Sequence, residues 1–193
     1  MIRIAVEADL AAILDIYAPY VTDTTVTFEY DVPSREVFLE RFRGITAQFP
    51  WLVWEEDGQI MGYAYAAAPY ARAAYAWCAE PSVYLRGDAR GRGIGGRLYA
   101  ALEEILLRQG YQVLYALVTS ENKASLRFHE KAGYIQRVDF ANCAFKFGRS
   151  LGVIWLEKRL KSVEIPTSAP VPWLSFVKTN QIPEDILDSL SLS

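Results

Sequence analysis

Four arginines and five glycines stand within twelve residues, Arg86-Gly-Asp-Ala-Arg-Gly-Arg-Gly-Ile-Gly-Gly-Arg97, in a chain whose formal net charge is −3. Glycines let a backbone approach a ligand closely, and the free N–H groups at a helix start favour negative charge. Arg90 and Arg92 add charge without shaping the fold. The stretch reads as a site for a small phosphate-like anion, with a solvated basic turn as the plainer alternative. A general nucleic-acid surface is not expected, because the overall charge is acidic and the basic residues are confined to one loop. Nor is a metal centre: Cys78, Cys143 and a single histidine, His129, cannot supply a ligand cluster.

The elements that hold this loop follow from periodicity. Ile2 to Val6 reads as a strand, and Leu10, Ile13, Leu14 and Tyr17 predict a helix over 8–20. Ser34 is placed to cap a second helix carrying Val37, Phe38, Phe42 and Ile45 on one face and stopped by Pro50. Strands at 51–55 and 59–67 flank Asp57-Gly58, a strong hairpin signal. Ser82 to Leu85 is a strand leading into the loop, which opens a helix over 93–109 ended by Gly110. Residues 113–118 form a strand, Asn122 caps a helix reaching Lys131 with Gly133 as its stop, and 134–147 and 153–160 complete the sheet.

With 193 residues, 52% of them hydrophobic, the expectation is one domain over 1–160 and a tail over 161–193. Trp173, Leu174 and Phe176 are too apolar for a free linker, and Ile186, Leu187 and Leu190, following Pro183-Glu184-Asp185, predict a short docked helix. No apolar run reaches the length of a membrane span and no signal peptide is recognised, so a cytoplasmic protein is expected.

Gly91-x-Gly93-x-x-Gly96 matches a dinucleotide fingerprint, with Glu121 near the place of a ribose-binding acid. That reading fails because several strands, including a hairpin, precede the loop. A phosphate loop of the Gly-Lys-Ser/Thr type is excluded by Gly95-Gly96-Arg97.

Arg90-x-x-Gly93-x-Gly95, after Val83-Tyr84-Leu85 and before Asn122-Lys-Ala-Ser-Leu-Arg-Phe-His-Glu-Lys-Ala-Gly-Tyr134, resembles the pyrophosphate loop and later helix of the GNAT superfamily of N-acetyltransferases. The resemblance covers about residues 2–160. Within the superfamily the chain is similar to the phosphinothricin acetyltransferase branch through Thr25-Val-Thr-Phe28, Phe49-Pro-Trp-Leu-Val53, Gly62-Tyr-Ala-Tyr-Ala66, Arg72-x-x-Tyr75-x-Trp77, Glu80-x-Ser-Val-Tyr-Leu85 and Phe145-Lys-Phe-Gly-Arg149. It implies an α/β (α+β) GNAT fold, with a mixed, mostly antiparallel twisted sheet flanked by helices. It also implies acetyl-CoA as co-substrate, with Arg90, Gly91, Arg92, Gly93, Ile94, Gly95 and Gly96 at the pyrophosphate. Val83, Tyr84 and Leu85 would pair with the pantetheine arm like an added strand, and Asn122 would lie near the thioester.

An amine attacks a thioester only when neutral, so the resemblance also asks for a base and a proton donor. Glu80 is the base candidate, against a plainer reading as a solvated acid at a strand entry. His129 takes the place where many relatives carry a tyrosine that protonates the thiolate; a packed or solvated helix histidine is its alternative. Tyr134 is a further donor or simply a core aromatic. Phe28, Glu29 and Tyr30 would line the acceptor pocket and Arg72 and Tyr75 would cross it, Arg72 suited to a carboxylate unless it serves only a surface ion pair. Ser150, Gly152 and Tyr70 depart from residues common in the family and put the herbicide-type specificity in question. The expected activity is acetylation of the α-amino group of a small amino acid or analogue, of the phosphinothricin, methionine sulfone or sulfoximine type, by a homodimer. The alternatives are another small amine, a protein N-terminus, or acyl-CoA sensing without turnover.

Overall fold

The computed structural model describes residues 1–162 and 164–179. Along the chain it forms β1 (Ile2–Ile4), α1 (Leu10–Thr22), α2 (Arg35–Thr46), β2 (Trp51–Glu56), β3 (Gln59–Ala67), β4 (Cys78–Leu85), α3 (Ile94–Gln109), β5 (Val113–Thr119), α4 (Lys123–Lys131), β6 (Ile135–Lys146), β7 (Arg149–Arg159) and α5 (Trp173–Thr179). The strands make one sheet in the order β1-β2-β3-β4-β5-β7-β6. Every neighbouring pair is antiparallel except β4 and β5.

Local chemistry accounts for the joints. Asp57 and Gly58 have φ of 48° and 75°, the paired positive values of a two-residue turn that matches strand twist. Ser34 Oγ accepts from the Val37 N–H at 3.3 Å and Asn122 Oδ1 from the Ser125 N–H at 3.1 Å, so both expected caps are made. The sheet is covered on both faces, which is why Trp51 to Trp54 are buried without alternation. Trp51 and Val53 pack with Ile13, Tyr17, Phe38 and Phe42 of α1 and α2; Leu52 and Trp54 pack with Leu98, Leu102 and Ile105 of α3.

Three boundaries differ from the periodicity. A 3-10 turn at Glu7–Asp9 precedes α1, which starts at Leu10 and runs through Pro19 to Thr22. β4 begins at Cys78 and contains Pro81, because only one of its edges is laddered at that point. β7 begins at Arg149, turning through Phe147 and Gly148 at φ 52° and 69°. Phenylalanine is an unusual first residue for such a turn, and it hid the hairpin.

The tail packs through α5, where Trp173 and Phe176 are buried against the α3 side of the sheet and Leu174 is exposed. Gln109 Nε2 donates to the Val171 carbonyl at 2.8 Å, and Trp77 Nε1 to that of Ser168 at 2.9 Å. The helix expected around Ile186, Leu187 and Leu190 lies outside the described residues.

Candidate functional site

The site begins where the sheet opens. β4 is laddered to β3 from Glu80 to Leu85 but pairs with β5 only at Cys78↔Val113 and Ala79↔Leu114. Pro81 has no N–H to offer β5, and its carbonyl instead faces the Tyr99 hydroxyl at 3.5 Å. Beyond it the strands part around a cleft of about 80 Å³, lined by residues 80–84 of β4, residues 116–119 of β5, and Asn122, Ser125 and His129. Tyr20, which sequence reasoning missed, takes the Leu85 N–H at 3.1 Å and donates to the Leu85 carbonyl at 2.6 Å. Of the three residues expected to offer an open edge, Leu85 is therefore capped by its own fold.

The glycine loop ends β4 and starts α3. Gly91 and Gly93 have φ of 75° and 79°, conformations that side chains resist, and Gly93 is the N-cap of α3. Cβ atoms at Gly91, Gly93 and Gly96 would meet nothing within 4 Å, so this face of the loop is bare backbone. The first N–H groups of the 16-residue α3 have no helical partner and point with the positive end of its dipole. Gly95 differs: a Cβ there would sit 3.3 Å from Leu85 Cδ1, so its glycine serves packing. Ile94 is buried too. The arginines divide as well: Arg86 pairs with Asp88 at 2.6 Å and Arg92 with Glu56 at 2.7 Å, while Arg90 lies over the Tyr20 ring at 5.1 Å. An open strand edge and a bare helix start with a cation beside it suit the amides and phosphates of a CoA arm.

A larger pocket of about 430 Å³ adjoins the cleft and shares Glu80, Ser82, Tyr84, Val26, Leu117 and Thr119 with it. Phe28 and Glu29 line it as expected. Tyr30 does not; its hydroxyl donates to the Phe145 carbonyl at 2.6 Å and, with the bond of 2.7 Å from Lys146 Nζ to the Thr27 carbonyl, fastens the wall to the β6 end. Arg72 and Tyr75 line a separate groove with the tail residues Ala169, Pro170 and Pro172. The cation in the pocket wall is instead Arg41, bonded to Glu29 at 2.5 Å, while Tyr17 donates to the same carboxylate at 2.8 Å. Arg41 lies on α2 beside the buried Phe42, in a pattern indistinguishable from a solvated helix face. Glu121, the ribose-type acid of the rejected dinucleotide reading, pairs with Arg149 at 2.8 Å.

Glu80 is half-buried at the junction of cleft and pocket, and burial raises its pKa above the usual carboxylate range. His129 is 6% exposed, and burial lowers its pKa. Its Nδ1 lies 2.8 Å from the Ser125 carbonyl, which can only accept, so Nδ1 carries the proton of the neutral ring. Nε2 is then the acceptor for the Tyr99 hydroxyl at 3.0 Å. Both ring nitrogens are thus engaged, and it is Ser125 Oγ, 3.3 Å from Nδ1, that joins them to the cleft.

A family model described as an acetyltransferase (GNAT) domain matches residues 2–155. The phosphinothricin N-acetyltransferase of Streptomyces viridochromogenes is 33% identical over 147 residues, 76% of this chain and 80% of that protein. The L-methionine sulfoximine/L-methionine sulfone acetyltransferase of Salmonella typhimurium is 30% identical over 168 residues, 86% of this chain and 97% of that protein. The crystal structure of a GNAT superfamily phosphinothricin acetyltransferase from Sinorhizobium meliloti in complex with AcCoA superposes with a TM-score of 0.85 at 32% identity, covering 91% of this chain and 97% of that one.

Proposed function

This chain belongs to the GNAT acetyltransferase family and is an acetyl-CoA-dependent N-acetyltransferase; from that premise we propose that its acceptor is the α-amino group of a small amino acid or analogue of the phosphinothricin, methionine sulfone or methionine sulfoximine type. The observation that carries the reading is Glu80, a carboxylate of raised pKa at the one junction between the split of the sheet and the larger pocket. A base there removes protons from an acceptor ammonium lying in the pocket, directly or through a water. The bare backbone of Gly91, Gly93 and Gly96 with Arg90 holds pyrophosphate, the edge at Val83 receives the pantetheine amides, and Asn122 stands near the thioester. On the sulfur side His129 is the proton source, acting through the Ser125 hydroxyl. Phe28, Glu29 and Arg41 shape the acceptor end.

The catalytic unit spans about residues 1–160, with the tail as a brace. The protein works in the cytoplasm as a two-fold dimer. Support for the dimer comes from exposed apolar side chains on one face of the edge strand β6, Ile135, Val138 and Phe140, paired with Glu157, Trp155 and Val153 of β7. Contact of that face with a second copy would remove them from water.

A second reading has its own support. Arg41 is neutralised by Glu29, and Arg72 lies in another groove, so the pocket wall offers no unpaired cation for an acceptor carboxylate among the described residues. That favours an amine without a carboxylate, including a protein N-terminus. Thiol release from acetyl-CoA over a panel of amino acids, their amides and N-terminal peptides separates the two. Methionine sulfone acetylated in preference to its amide supports the first reading, and the reverse order supports the second.

A further inference from the structure

We propose that the Glu29–Arg41 ion pair is the charge filter of the acceptor pocket: it admits an uncharged polar group at the end of the acceptor remote from the amine and turns away an anionic one. The filter rests on the reading that the acceptor is a small amino acid with its nitrogen beside Glu80.

The two sets of lining residues locate the pair. Glu80, Ser82, Tyr84 and Thr119 border both the cleft and the pocket, so the reacting nitrogen belongs there. Tyr17, Glu29, Arg41 and Tyr65 border the pocket alone. An α-carboxylate shares the carbon that bears the nitrogen and stays near the junction. The side chain extends into the rest of the pocket, where its end meets this wall.

The pair is held from both sides. Arg41 Nη2 bonds Glu29 Oε1 at 2.5 Å and Nη1 reaches Oε2 at 3.4 Å, a two-pronged contact. The Tyr17 hydroxyl donates to Oε2 at 2.8 Å and, with its proton spent there, accepts from Thr27 Oγ1 at 2.8 Å. The Arg41 guanidinium carbon stands 5.7 Å from the centre of the Phe38 ring. The Arg41 and Glu29 side chains are nonetheless 29% and 33% exposed, so the pair keeps a face for a ligand.

That face is neutral in sum. A guanidinium has more N–H groups, and a carboxylate more lone pairs, than these bonds use. An uncharged group can take what is left: a sulfone or amide oxygen accepts from Arg41, and a sulfoximine or amide N–H donates to Glu29. An anion cannot, because reaching Arg41 means displacing Glu29 or lying against its charge in a partly desolvated wall. Among the described residues the remaining charged group in the lining is Glu80, another acid. Tyr65 and Tyr84 lie within the field of both carboxylates, so both act on a charge placed beside these rings. Lys146 bonds the Thr27 carbonyl at 2.7 Å, is 2% exposed and does not line the pocket, so it offers the ligand no hydrogen bond.

The test uses two pairs of acceptors that share a shape and differ in charge: glutamine with glutamate, and methionine sulfoximine with phosphinothricin, whose phosphinate is anionic. The ratio of kcat/KM within each pair is measured for the full chain, for Glu29→Gln, for Arg41→Gln and for the double variant, with acetyl-CoA affinity as the check on folding. The expected wild-type ratio favours the uncharged member by about tenfold. Glu29→Gln leaves Arg41 unpaired and moves both ratios toward the anion by about tenfold, whereas Arg41→Gln moves them the other way. The double variant is neutral again and returns close to the wild-type ratio whatever its rate, a return that damage to the pocket's shape would not produce. Equal ratios in all the proteins overturn the filter, and so does a wild type that prefers the anions. If amides or N-terminal peptides are acetylated and none of these amino acids is, the acceptor reading falls and the filter with it. Amino acids acetylated without regard to side-chain charge sink the filter alone.

Discussion

The Tyr20 hydroxyl closes both polar groups of Leu85 on the open edge of β4, accepting from its N–H at 3.1 Å and donating to its carbonyl at 2.6 Å. A pantetheine amide that reaches this point must displace a bond already made. Tyr20→Phe removes the competitor and leaves Leu85 open to the ligand. The expected outcome is acetyl-CoA binding tighter by about threefold to tenfold by titration calorimetry, with about 1 kcal/mol of folding stability lost with the hydroxyl. Unchanged affinity would mean that the arm leaves β4 before Leu85.

Glycines 95 and 96 are neighbours with opposite tasks. A Cβ on Gly96 enters open space and one on Gly95 presses on Leu85. Gly96→Ala is expected to gain up to about 1 kcal/mol from better helix propensity while weakening acetyl-CoA binding by tenfold or so. Gly95→Val should lose stability as well as affinity. Melting temperatures measured beside binding constants check both, and a Gly96→Ala protein with full affinity would remove Gly96 from the pyrophosphate cradle.

Glu80→Gln isolates the base. A raised pKa means that the active carboxylate appears at higher pH than an ordinary glutamate, so wild-type turnover falls as the pH drops through that value. At alkaline pH the acceptor is already neutral and needs less help. The variant should therefore be slower by about a hundredfold near neutrality, approach wild type at high pH, and bind acetyl-CoA normally. Parallel pH profiles offset by a constant factor would argue for positioning instead of proton removal.

His129 links the site to stability. Its folded pKa is depressed by burial, so the unfolded chain binds a proton over a pH range where the native chain does not. Stability from this group is complete above the usual imidazole value and is lost as the pH falls toward the folded one. Urea midpoints should decline over that window in the wild type and less in His129→Gln. Equal declines would locate the acid sensitivity elsewhere.

How much of this was legible in the sequence depends on whether a signal is local. The Ser34 and Asn122 caps, the Asp57-Gly58 turn and the Gly93 and Gly110 ends of α3 are local chemistry and were read correctly. The strand expected from Ser82 starts instead at Cys78 and takes in Pro81, which the parting of β4 from β5 leaves with no ladder bond to lose. Arg41, Tyr20, Tyr99 and Ser125 reach the site by tertiary contact from helices whose patterns look ordinary. Arg72 carried a motif resemblance but no physical tie to the pocket, and it lines another groove.

Assembly provides the last prediction, in which the tail and the edge strand make separate claims. Trp173 and Phe176 are buried within the subunit, so a chain ending at Lys161 should lose several kcal/mol of stability, about 3–5 for each aromatic truncated on its own, without a change of oligomeric state. Val138 and Phe140 are exposed on one face of β6 and are not part of the subunit's core. Val138→Asp with Phe140→Asp should therefore leave the melting temperature of the separated subunit nearly unchanged and shift sedimentation from dimer to monomer. A full-length chain that sediments as a monomer at micromolar concentration overturns the dimer. A dimer that survives the double substitution moves the interface away from β6, and a dimer that survives both the double substitution and the truncation excludes the tail as well.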